Sequence, residues 1–222
     1  MPHVIYDNLT LKQFLRLPET KPPLEYIDGK VVQKWDDPVI YDGLTLMQFL
    51  RLPEAKPALE YIDGKVVQKV SPKTTHSVLQ TMLAARILEH CRPTRIGQPY
   101  IELRCTFGKR SLVPDIAFFA RGRIPKDQHG KRVDDVYLSP DLALEIISPD
   151  QTIKNLSARM TWCVQNGVRL AWLIQPTKCR VYIFHPDRDR TILEPGESLS
   201  GEDVLPGFAQ PLDEMFGWLI ED

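Results

Sequence analysis

Nowhere in these 222 residues does an apolar run approach the roughly 18 consecutive residues of a membrane span, and the first residues are mixed and polar rather than signal-like. Both absences predict a soluble, cytoplasmic protein. Cysteine is scarce as well. Cys91, Cys105, Cys163 and Cys179 show no Cys-x-x-Cys spacing and no histidine pairing suited to zinc, so they read as reduced, mostly buried thiols. A surplus of charge is also missing: the formal net charge is −1, and nothing global points to nucleic acid. Nor does the chain contain a readable base-recognition element such as a helix-turn-helix or a zinc finger.

What the chain does have is apolar content for one substantial core, 43% of its residues. We expect one domain plus an appendage. The appendage comes from a repeat: residues 4–34 recur at 39–69, with 27 of 31 positions identical. Two units fall short of the three or more that a solenoid needs, so this is a recent tandem duplication and not a repeat protein. Each copy predicts a short helix with Thr as N-cap, ended by Pro18 or Pro53. An Asp-Gly hairpin follows, at Asp28-Gly29 or Asp63-Gly64. Only the second copy runs directly into the rest of the chain. Residues 1–38 are therefore read as an extra copy ending in the linker Trp35-Asp36-Asp37-Pro38, and 39–222 as the main domain. The extra copy either has no function, adds strands to an edge, or exchanges with a second subunit.

Further along, periodicity predicts a helix over Thr75–Cys91 ended by Arg92-Pro93. Strands follow at Ile101–Phe107, Leu112–Ala120, Leu142–Ile147, Ala171–Gln175 and Arg180–His185, with an amphipathic helix over Thr152–Asn166. Helices on both sides of a strand-rich centre predict an α/β fold with a mixed sheet flanked by helices. Within two of these apolar strands sit acids, Asp115 and Glu145. An ionised carboxylate among Leu, Ile and Phe costs several kcal/mol, roughly, unless a cation, a metal ion or several donors compensate it. Alternation puts Glu145 on one face with Ala143 and Ile147, with Leu144 and Ile146 on the other, so both faces are mostly covered. Each acid alone could be a strand-end residue reaching water; the two together suggest one shared metal-binding site.

The order Pro114-Asp115, a gap, then Glu145 in an apolar strand followed by Ser148-Pro149 resembles the PD-(D/E)xK nuclease superfamily and, within it, the bacterial Uma-type restriction endonuclease family. Upstream, Leu44-Thr45-Leu46, Phe49-Leu50, Leu52-Pro53-Glu54 and the run Leu59 to Val67 look like that family's opening helix and first hairpin, with Ser71-Pro72 and His76 after them. Downstream, Ser139-Pro140-Asp141-Leu142, Asn166-Gly167-Val168, Trp172-Leu173-Ile174 and Pro176 continue the likeness, which covers roughly residues 39 to 185. The resemblance implies a restriction-endonuclease-like core, a DNA substrate, action as a homodimer, and Mg²⁺, or Mn²⁺, held by Asp115 and Glu145. It also aligns Glu60 with an acid the family places near its site, an acid that Glu25 duplicates.

Two positions depart from the family pattern. Gln175 stands where an Asp precedes Pro176, and Arg159 stands where the helix after the Glu strand carries a lysine; position 147 is Ile, so no local Glu-x-Lys lysine exists. At about 100° per residue, Arg159 borders the buried stripe of Leu156, Met160, Cys163 and Val164, whereas Lys154 points nearly opposite. Arg159 is either a stand-in for the lysine, holding a phosphate while always charged, or a structural ion pair with Asp115 or Glu145. His76, near a helix start, either contacts phosphate, serves the metal's outer shell, or makes structural hydrogen bonds.

Lys109 to Arg132 carries seven cations against Asp115 and Asp127. That stretch is a phosphate-contacting surface or a solvated loop. The leading reading is a Mg²⁺-dependent endonuclease. The alternatives are a catalytically silent relative that binds nucleic acid or protein through the same face, and a phosphodiesterase for a non-nucleic substrate.

Overall fold

The first copy of the repeat forms three short strands, β1 (His3–Tyr6), β2 (Leu24–Ile27) and β3 (Lys30–Gln33), in the antiparallel order β1-β3-β2. In this computed structural model the described residues are those three strands together with 40–149 and 151–220. The expected first-copy helix and its Asp28-Gly29 turn lie outside them. The chain divides into two compact units, 1–70 and 71–222.

Within the first unit, the second copy repeats the pairing of the first. β4 (Tyr41–Asp42), β5 (Leu59–Ile62) and β6 (Lys65–Gln68) follow the order β4-β6-β5. Ile62 pairs with Lys65 as Ile27 does with Lys30, and Tyr41 with Val66 as Tyr6 does with Val31. The Asp-Gly turn is of the primed kind, since Asp63 and Gly64 both have positive φ, 49° and 89°. Helix α1 (Leu46–Phe49) begins at Thr45, which forms a reciprocal capping box with Gln48. Phe49, Leu59, Tyr61 and Val66 close a small core, with the Tyr61 hydroxyl donating to the Leu44 carbonyl at 2.9 Å.

The second unit is built on a six-stranded sheet. Its elements are helix α2 (Thr74–Thr94), β7 (Gly97–Ile101), β8 (Cys105–Phe107), β9 (Arg110–Leu112), β10 (Ile116–Ala120), β11 (Leu142–Ile146) and helix α3 (Ile153–Gln165). β12 (Leu170–Gln175), β13 (Arg180–Phe184), β14 (Thr191–Leu193), β15 (Ser198–Ser200), β16 (Ala209–Pro211) and helix α4 (Leu212–Gly217) complete it. The sheet runs β14-β13-β12-β11-β10-β7. Only β11 and β12 are parallel, joined through α3, and the other pairs are antiparallel. The expected mixed sheet is therefore present.

Three element boundaries differ from expectation. The Ile101–Phe107 run breaks at Glu102, whose φ of 49° turns the chain out of β7 and into the β8–β9 hairpin. The Leu112–Ala120 run breaks at Val113-Pro114-Asp115, because Pro114 has no N–H to give a ladder. Helix α2 passes Pro93 and stops at Arg95, left-handed at φ 53° and bonded to the Cys91 carbonyl at 2.8 Å. A proline this close to the end removes one intrahelical bond without breaking the buried turns before it.

Alternation along the strands splits the core in two. Ile116, Phe118, Leu142, Leu144 and Ile146 pack with Leu79, Leu83 and Ile87 of α2, and with Leu205, Phe208 and Met215 beyond. Ala117 and Phe119 face the other way, against Cys105, Ile124 and Val136. Helix α3, N-capped by Thr152, buries Leu156, Met160, Cys163 and Val164 and packs on β11, β12 and β13. Its Arg159 reaches Glu145, so α3 lies on the face opposite α2. Burying one helical face on each side of the sheet stabilises the unit, at about 1.5–3 kcal/mol per fully buried large apolar side chain. Among the described residues no helix is long and apolar enough to cross a membrane.

Candidate active site

β10 and β11 pair in the register Ile116 with Leu144 and Ala117 with Ala143. Asp115 precedes the partner of Leu144 and Glu145 follows Leu144, so the two acids meet at the same end of the same strand pair. Both are buried, Asp115 to 1% exposure and Glu145 to 4%. Their apolar neighbours are those the sequence indicates, and the compensation that physics requires is present.

For Asp115 that compensation is a set of hydrogen bonds. Its Oδ2 accepts the Ile146 backbone N–H at 2.8 Å, so the carboxylate takes up a donor of β11 just where the β10 strand has ended. The same oxygen lies 2.9 Å from Nε2 of His76, which is buried on the first turn of α2. A carboxylate can only accept here, which puts the imidazole proton on Nε2. Nδ1 is buried and has no hydrogen-bond partner among the described residues. One turn further along α2, the Gln80 amide donates to the Asp115 backbone carbonyl at 2.9 Å. His76 and Gln80 thus share one helix face, four residues apart, and grip the side chain and main chain of Asp115.

Glu145 is met by charge. Its Oε1 lies 2.7 Å from the Arg159 guanidinium, with the Glu and Arg side chains 5% and 14% exposed. The position of Arg159 follows from α3: Leu156, Met160 and Cys163 are buried beside it, while Lys154 is exposed. The far end of α3 is held by the β8–β9 turn. There Phe107 packs on Trp162 at 5.2 Å between ring centroids, and Arg110 stacks over the same indole at 4.3 Å.

Of the five residues singled out by sequence, His76 pairs with Asp115 and Arg159 with Glu145 at one end of the β10–β11 pair; Glu60 is buried on β5 and belongs to the unit 1–70. Two residues that hold the site escape a sequence reading. Gln80 is one, its only sequence signal being the i, i+4 spacing from His76. Asp141 is the other: it is buried at the opposite end of the strand pair. It accepts the Ala120 N–H at 2.8 Å and the Arg123 guanidinium at 3.1 Å, with Arg169 3.5 Å away. It fixes how β10 and β11 leave the sheet. Gln175, the departure before Pro176, accepts the Tyr182 hydroxyl at 2.9 Å.

A mixed sheet between two helices, with paired acids at the end of its central antiparallel strands, defines a nuclease-like α/β fold. Residues 46–213 match the Uma2 family, described as "Putative restriction endonuclease", and the chain belongs to that family. A crystal structure of a "putative nuclease" from Anabaena variabilis is similar at 35% identity and a TM-score of 0.77, covering 80% of this chain and 99% of that one. A comparison with curated proteins gives no match.

Proposed function

We propose that this chain is a metal-dependent endonuclease that hydrolyses DNA phosphodiester bonds at the Asp115–Glu145 pair. The observation that carries the proposal is two buried carboxylates at one strand end, each held in place by a positioned donor or cation. A protein that needed only packing there would gain stability from apolar side chains instead.

The donor set fits Mg²⁺ or Mn²⁺. It consists of hard carboxylate oxygens, and no group of three or more His, Cys, Asp and Glu suited to a metal occurs among the described residues. Mg²⁺ is commonly held by one or two carboxylates, with water and substrate oxygens completing its shell. Asp115 and Glu145 would hold the ion. When bound, it supplies Lewis acidity at the phosphoryl oxygen and a nucleophilic water at neutral pH.

The chain's own residues do the positioning. The Ile146 N–H and His76 fix the rotamer of Asp115 through its Oδ2. Arg159 stays protonated and cannot act as a base, but its planar fork can bind a phosphate through two parallel hydrogen bonds and stabilise negative charge as it develops. His76 holds Asp115 through its Nε2.

A second reading has one observation in its favour. The Arg159–Glu145 contact already neutralises one of the two acids, as a binding protein on an inherited scaffold would have it. Cleavage of supercoiled plasmid with Mg²⁺ or Mn²⁺ separates the two readings, using the natural chain, Asp115→Asn, Glu145→Gln and Arg159→Lys. Nicking that either acid substitution abolishes, and that Arg159→Lys increases, is the expected result. Cleavage by none of the four, with DNA still shifted in a gel, would leave the binding protein.

A further inference from the structure

Between β10 and β11 the chain makes a long excursion, residues 121–138, anchored by Ile124 and Val136 against Ala117 and Phe119. Ala117 pairs with Ala143, which shares alternation with Glu145, so the anchors sit on the face of the sheet that carries Glu145. The excursion folds into a small hairpin. Lys126 and Arg132 face each other across an antiparallel bridge, and the Asp127 N–H donates to the Lys131 carbonyl at 2.7 Å. Asp127 Oδ1 accepts the His129 and Lys131 N–H groups, each at 2.9 Å.

Two like charges directly opposite in an antiparallel pair destabilise it. This hairpin nevertheless sets Lys126 against Arg132, with Lys131 beside them, all exposed, on a tip its own backbone bonds hold in shape. Beneath it lies a cavity of about 620 Å³ lined by Asp127, Lys131, Arg132, Asp134, Asp135 and Tyr137, the tyrosine 60% exposed. Asp127 is occupied in closing the turn, while Asp134 and Asp135 oppose the cations.

We propose that this hairpin grips the backbone of a DNA strand, with Lys126, Lys131 and Arg132 on its phosphates and Tyr137 offering its ring to a base. The assignment rests on the nuclease reading only for the substrate it names. Asp134 and Asp135 set the strength of the grip by repulsion.

The test is a fluorescence-anisotropy titration of a labelled single-stranded DNA oligonucleotide with the full chain, without divalent ions, over a range of salt. The combined variant Lys126→Gln, Lys131→Gln, Arg132→Gln is expected to make the log–log salt slope shallower by about 2 and to weaken binding at least about tenfold, with the melting temperature not lowered. Asp134→Asn with Asp135→Asn is expected to tighten binding, an effect a merely structural role for the hairpin would not produce. Tyr137→Ala is expected to weaken binding about tenfold, and Tyr137→Phe to leave it unaltered. An unchanged salt slope in the triple variant, or no tightening in the double, overturns the inference even if plasmid cleavage is seen. Hairpin-dependent binding without any cleavage overturns the nuclease reading and leaves this one standing.

Discussion

Replacing Arg159 by methionine removes the guanidinium and keeps most of the side-chain volume, which isolates the charge of a single buried pair. The Arg159–Glu145 contact is 2.7 Å with the carboxylate 5% exposed, so in the variant Glu145 keeps its desolvation cost and loses its cation. Stranding one member of a buried pair costs about 3–5 kcal/mol; because Arg159 retains 14% exposure the lower end applies, about 3 kcal/mol. At about 2–4 °C per kcal/mol for a unit of this size, the melting temperature should fall by about 6–12 °C. Glu145→Gln should cost less, since the freed guanidinium can turn toward solvent. In the double variant neither charge remains, and the loss should fall short of the sum of the two singles by about 2 kcal/mol. Scanning calorimetry and urea unfolding of the four proteins measure this directly. If the singles add to within about 0.5 kcal/mol, Arg159 is not what compensates Glu145, and the account of the site fails. If the two acids hold an ion as proposed, Mg²⁺ should raise the melting temperature of Arg159→Met more than that of the natural chain, because the guanidinium no longer competes with it for Glu145.

Burial pushes the Cys105 thiol up to about 12, with Cys163 adding to the shift, and the Cys91 thiol up to about 11, from 9.0. The folded chain thus keeps protons that the unfolded chain releases above pH 9.0, so stability is full below that value and falls as pH rises toward 11 and 12. Urea midpoints followed through this window should drop at no more than about 1.4 kcal/mol per pH unit per thiol, and Cys105→Ala should flatten the dependence. In the sheet, a methyl group at Gly97 would overlap the Phe118 ring and the Phe119 carbonyl, so Gly97→Ala should cost about 1–3 kcal/mol by thermal melting. Gly217→Ala, at the end of α4 with open space around it, should cost nothing.

The acids were legible because a charge in an apolar strand contradicts its surroundings, and that contradiction survives without knowledge of the fold. Arg159 was legible for a related reason: helical geometry alone sets it beside Leu156 and Met160 and turns Lys154 away. Where the reading stopped short, the missing information was tertiary. Nothing local says that a strand ends at Pro114 so that the Asp115 carboxylate can take the Ile146 N–H, or that Glu102 turns the chain at positive φ. Gln80 looked like an ordinary polar helix residue, because its partner is a backbone carbonyl brought to it by a different element. The Asp141 cluster joins Arg123 and Arg169 across a folded end and has no sequence period at all.

The departure at Arg159 shapes how the proposed reaction would run. Position 147 continues the ladder, its N–H bonded to the Ile174 carbonyl at 2.9 Å, so a lysine there would project from the sheet on the face of Glu145. Here that residue is isoleucine, and the cation comes instead from α3 across the site, already seated on a Glu145 oxygen. An ion held by the two acids would draw on the same carboxylate as Arg159, and the stronger that ion pair, the weaker the ion would be held. A phosphodiester would resolve that competition, since it would offer the guanidinium two oxygens in place of one and leave Glu145 available to hold an ion. On this argument ion binding and DNA binding favour one another, and each alone is weak. Lysine at 159 holds a carboxylate as a single point charge, so Arg159→Lys should bind Mg²⁺ more tightly without DNA and gain less when DNA is added. Isothermal titration with and without a DNA duplex, in the Asp115→Asn background as control, measures that difference; equal coupling in the arginine and lysine proteins would refute the competition.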